Sequence, residues 1–118
     1  MSRDVPSRVG LLQGTLDLLI LRTLLAGPAH GHAIAKHIQR TSEDLLAVET
    51  GSLYPALHRL EAKGWIAPSW ELSNKGKRAR FYRLTPLGRR QLTTEQSKWD
   101  TFSRAMALIL NPVDQEAQ

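Results

Sequence analysis

No cysteine occurs among the 118 residues, which removes thiol catalysis, disulfide frameworks and cysteine-ligated zinc. The signatures of common catalytic machinery are missing too. There is no GxSxG, no HExxH and no glycine loop that would cradle a phosphate, and the carboxylates are scattered rather than paired on one face. Neither enzymatic activity nor a bound cofactor is expected. The leucine-rich stretch 16–25 is broken by Asp17 and Arg22, and the opening MSRDVPSR is charged and contains proline, so neither a membrane span nor a signal peptide fits. A soluble cytoplasmic protein with no membrane partner follows as the expectation. Internal repeats and low-complexity segments are also lacking. What is present suffices for one small domain: 42% of the residues are hydrophobic, and a chain of this length hides about two thirds of its unfolded surface on folding.

Acidic residues are absent from 73 to 90, where seven bases fall: Lys75, Lys77, Arg78, Arg80, Arg83, Arg89 and Arg90. The rest of the chain holds nine bases against eleven acids, so the whole formal charge of +5 arises in this one segment. A solvated charged face mixes signs, as the remainder of the chain does. The one-sided cluster therefore implies a partner with closely spaced negative charges.

Periodicity divides the chain into elements. Residues 1–10 read as a flexible arm carrying Arg3 and Arg8, with Pro6 and Gly10 as punctuation. A first helix is expected over 15–25, because Leu16, Leu19, Ile20 and Leu24 recur at helical spacing before the Gly27-Pro28 stop. A second is expected from about His32 to Arg40. The third lies within 51–66, where Pro55 fits only a first turn, which makes Ser52 the expected N-cap. On that helix Leu53, Leu57 and Leu60 point one way, while His58 and Arg59 point the other. After Gly64 the period drops to two: Ile66, Trp70 and Leu72 alternate with Ala67, Ser69 and Glu71, and a second run follows from Ala79 to Leu84. A hairpin results, tipped by Lys75, Gly76, Lys77 and Arg78, with Pro68 on an edge strand. Thr85-Pro86 then opens a helix to Leu110. Its Leu92, Trp99 and Met106 are seven apart, with Phe102 and Ile109 at the complementary spacing. About 24 residues span about 36 Å, more than the body needs, so the seam predicts a partner helix from a second copy.

Three helices, a hairpin with a cationic tip and a long seamed helix make the order of a mainly α winged helix-turn-helix domain (11–85) with a C-terminal dimerisation helix (86–110) and a short tail (111–118). In such a domain the third helix enters the major groove of double-stranded DNA, and the hairpin tip lies along the phosphate backbone or in the minor groove. Ser52, Tyr54, His58 and Arg59 carry groups for reading base edges or fixing register. Lys75, Lys77, Arg78 and Arg80 supply affinity by neutralising phosphates. The competing reading is a winged-helix module whose basic hairpin binds RNA or an acidic protein without operator specificity. Such a module has no need for Tyr54, His58 and Arg59 on the outward helix face.

The stretch GSLYPALHRLEAKGWI, followed by RARFYRLTPLG and preceded by LDLLILRTLLAGPAHGHAIAKHI, resembles the PadR family of bacterial transcriptional regulators, in its short form with one C-terminal helix. The resemblance covers roughly residues 11–110. It implies a homodimeric repressor on an inverted-repeat operator, with Tyr54 near the phosphate backbone and Lys77, Arg78 and Arg80 in the basic wing. It also implies a small aromatic effector at the dimer interface, for which Trp99 is the candidate lining residue, although Trp99 and Phe102 read first as seam residues. Two departures stand out. His30-Gly31-His32 replaces aromatic residues around the glycine of helix two; with His32 and His37 about 140° apart on a helix and no acid or cysteine beside them, they read as polar substitutes rather than metal ligands. Trp65 stands where an aliphatic residue is usual, and packing is expected of it.

Overall fold

The computed structural model describes residues 14–72 and 78–111. The expected arm (1–10), the tip residues Lys75, Gly76 and Lys77, and the tail beyond Asn111 lie outside them.

Helix α1 (Thr15–Leu25) begins after Gly14, whose φ of +91° would strain any side chain. Leu16, Ile20, Leu21 and Leu24 are buried along it, the stripe that the leucine spacing demands. A two-residue strand, β1 (Ala29–His30), follows and runs straight into α2 (Gly31–Thr41). There His30 serves as the N-cap, its Nδ1 accepting from the Ala33 N–H at 3.1 Å, a role usually filled by Ser, Thr, Asp or Asn. This gives the first histidine of the HGH departure a structural role. Two successive left-handed residues, Glu43 and Asp44, end α2. The Ser42 hydroxyl accepts from Leu46 N–H and donates to Gln39 C=O, so a turn and not a helical segment links α2 to α3.

Helix α3 (Thr50–Ala62) has Glu49 at the cap position, three residues earlier than the expected Ser52. The N–H groups of Ser52 and Leu53 both reach Glu49 C=O, at 3.0 and 2.9 Å. Pro55 is thus the sixth helical residue. Its missing N–H leaves the Gly51 carbonyl without an i+4 donor, a cost that the exposure of Gly51 relieves because water can reach that end. Leu53, Ala56, Leu57 and Leu60 fill the core.

Strands β2 (Ile66–Leu72) and β3 (Arg78–Leu84) form the hairpin, and β1 pairs on the far side of β3, giving the antiparallel order β1-β3-β2. Pro68 sits on the edge strand β2, opposite Tyr82. Ile66 and Tyr82 bury one face of the sheet against the helices. Helix α4 (Pro86–Leu110) opens as the sequence predicts: the Thr85 hydroxyl accepts from Gly88 N–H at 3.0 Å. Gly88 lies so close to the turn after α3 that a Cβ there would sit 1.9 Å from the Trp65 carbonyl oxygen. Trp65 itself packs beside the core, under the Lys63 ammonium. Leu92 belongs to the same core as α1 and α3, and beyond it α4 runs on with its apolar side chains exposed.

Candidate nucleic-acid interface

With Leu53, Leu57 and Leu60 buried, the helical period fixes what α3 shows to solvent. Gly51, Pro55, His58 and Ala62 form the centre of the exposed face. Ser52 and Arg59 flank it on one side, Tyr54 and Glu61 on the other. Ser52, Tyr54, His58 and Arg59 are thus all at the surface, as expected.

The two flanks are tied down by carboxylates that sequence reasoning did not assign. On one, Arg59 Nη2 donates to Asp17 Oδ1 of α1 at 2.8 Å, the arginine remaining half exposed. On the other, Arg80 of β3 donates from Nη2 to both Glu61 oxygens at 2.9 Å. Arg80 also lies over the Tyr82 ring, and its Nε is buried without a partner. Arg80 is therefore held across the gap between the hairpin and α3. Arg78 opens β3 opposite Leu72, next to the tip that lies outside the described residues. The signals for the two carboxylates were in the sequence: Asp17 is a lone acid in a leucine-rich helix, and Glu61 falls seven residues after Tyr54 on one helical stripe.

Tyr54 lies across the start of α2, where a Cβ on Gly31 would approach its ring and hydroxyl to 3.0 Å. The absence of a side chain at Gly31 therefore sets how closely α2 and α3 meet. Nearby, burial raises the Tyr82 phenol above its ordinary value, opposed by the Arg80 guanidinium and reinforced by Glu61 and Tyr54. The ring of His30 meets Phe81 edge-on and stacks at 6.4 Å on His32.

On α4 the five seam residues separate. Leu92 is 5% exposed and packs in the core of its own chain. Trp99, Phe102, Met106 and Ile109 are exposed. Trp99 and Phe102 face each other at 6.0 Å and, with Leu18, Thr15 and Lys98, line an open groove of about 310 Å³ between α1 and α4.

A helix-turn-helix made by α2 and α3, a hairpin locked beside its second helix and a long C-terminal helix define a winged helix-turn-helix protein. Comparison with known proteins narrows the class. The model of the PadR-like family of transcriptional regulators matches residues 20–94. A transcriptional regulator of Mycobacterium tuberculosis is 33% identical over 92 residues, covering 78% of this chain and 82% of its own. Two solved PadR family regulators, from Eggerthella lenta and Clostridium difficile, each have a TM-score of 0.72 and 30% identity. They cover 86% and 83% of this chain and 86% and 100% of their own. The chain belongs to the PadR-like family and is a transcriptional regulator rather than an enzyme. Among the described residues no helix is long and apolar enough to cross a membrane.

Proposed function

We propose that the protein is a homodimeric repressor that binds an inverted-repeat DNA operator in a sequence-specific way. The observation that carries this reading is the exposed face of α3, with Ser52, Tyr54, His58 and Arg59 at the surface beside a hairpin of basic composition that Glu61 and Arg80 hold in place. Helix α3 enters the major groove, where His58 and Arg59 reach base edges while Ser52 and Tyr54 fix register on the backbone. Lys75, Lys77 and Arg78 neutralise phosphates. Arg80 acts with them by holding the wing at its working height.

The second copy docks on Trp99, Phe102, Met106 and Ile109, which are exposed along the part of α4 beyond the buried Leu92. The groove beside Trp99 and Phe102 is large enough for one small aromatic molecule and lies next to that seam, which supports an effector that alters how the two copies sit.

Footprinting on the DNA upstream of its own gene tests the reading. The expected result is a protected inverted repeat with half-sites about one helical turn apart. Salt-sensitive smearing with no protected repeat would favour a wing that supplies non-specific affinity alone.

A further inference from the structure

Trp70 is 56% exposed, although it stands in the middle of a paired strand. Its cross-strand partner is Arg80, and residues directly opposite one another in an antiparallel pair share a face. That face is defined independently. Arg80 reaches Glu61 on α3, and along β2 the alternation puts Ile66, which is buried, on the same side. Trp70 therefore lies on the side of the hairpin that looks toward α3, two pairs short of the wing's basic tip and beyond the edge of the core.

We propose that Trp70 is a DNA contact of the wing, packing its ring against the sugar walls of the minor groove of duplex DNA. The assignment rests on the DNA-binding reading above and adds a residue to it. Charge selects the partner: the strand opposite Trp70 belongs to a segment of seven bases and no acid, so the polymer drawn to this edge is polyanionic. Wings lie along the backbone or in the minor groove, and minor-groove binders place apolar side chains in that groove. Arg80 Nη2, donating to both oxygens of Glu61, ties β3 to α3, and the pairing of Trp70 with Arg80 extends that link to β2. The backbone that carries the ring is thus placed before DNA arrives, which limits the ordering cost of the interaction.

Apolar packing releases no counterions, and this separates Trp70 from the lysines beside it. In anisotropy titrations of a labelled 30-base-pair duplex across a salt series, Trp70→Ala is expected to bind roughly tenfold more weakly at every salt concentration, the order of what burying one large apolar side chain contributes. Its line of log affinity against log salt should run parallel to that of the unsubstituted protein, with Trp70→Phe in between. The Trp70 share of the emission, taken as the difference from Trp70→Phe, should be protected from acrylamide by the duplex. Equal affinities for the unsubstituted protein and Trp70→Ala overturn the assignment alone. So does a weakening that tracks a fall in Tm while DNA fails to protect the Trp70 emission. If the unsubstituted protein shows no salt-dependent binding to the duplex, the DNA-binding reading falls and takes this one with it.

Discussion

Arg80 and Arg59 look alike in the sequence, two cations beside a recognition surface, yet the structure uses them differently. Arg80 is clamped by both oxygens of Glu61, while Arg59 keeps one hydrogen bond to Asp17 and half its surface in water. The arginine side chain is 50% exposed but the Asp17 carboxylate only 15%, so Arg59 is within reach of a base edge while its bond to Asp17 also compensates a largely buried charge. Arg59→Ala is expected to lower the preference for operator over random duplex, measured as a ratio of affinities, and to lower Tm as well, because it leaves the largely buried Asp17 carboxylate without its partner. Tyr82 gives a second prediction at this scale. Its raised ionisation in the fold means that above the ordinary tyrosine range the unfolded chain gives up a proton that the folded chain keeps. Stability is thus complete below about pH 10 and falls as pH rises further. Thermal melts from pH 8 to 11 should show this loss, and Tyr82→Phe should flatten it.

Among the elements, the helices were the most legible. Helix α1 ends where Gly27-Pro28 predicts, and α4 runs from Pro86 to Leu110 as its Thr-Pro opening and Asn-Pro end demand. Strand β1 was not legible, since two residues carry no period; it exists because β3 offers a free edge to the chain entering α2. The start of α3 differs from the expected one because Pro55 would carry its full cost only in a buried helix interior, and Gly51 at the exposed end reduces that cost. Of the candidate site, the residue types and the helix face were readable, but which cation is clamped and which is free depends on Asp17 and Glu61, distant in sequence. Likewise Leu92 shares the heptad spacing of the seam but falls where α4 still covers its own core. Two predictions belong here. Gly88→Ala drives a methyl into the Trp65 carbonyl and should cost at least about 2 kcal/mol by denaturant unfolding. Phe102→Glu places a charge in the exposed seam and should convert dimer to monomer in sedimentation, with operator binding abolished alongside.

For the molecule as a whole, charge is segregated: the net positive excess belongs to residues 73–90, and the remainder is net negative. Affinity for duplex DNA should therefore respond to salt through the wing. Lys77→Ala with Arg78→Ala is expected to weaken binding to every duplex about equally and to lower the salt slope by about 0.9 for each phosphate no longer neutralised. A slope that stays the same would place the phosphate-binding groups elsewhere on the surface.

The central position of β3 has a consequence for control. This strand is bonded on one side to the two residues that lead into α2 and on the other to the strand that forms the wing, and its Arg80 grips α3. Among the described residues, α2, α3 and the paired strands of the hairpin are therefore tied into one unit. In the proposed dimer, what would be adjustable is the spacing and tilt between two such units, set where the exposed ends of the α4 helices would meet. A signal acting on this protein would work as a hand on calipers does, leaving each point intact and changing only the distance it spans.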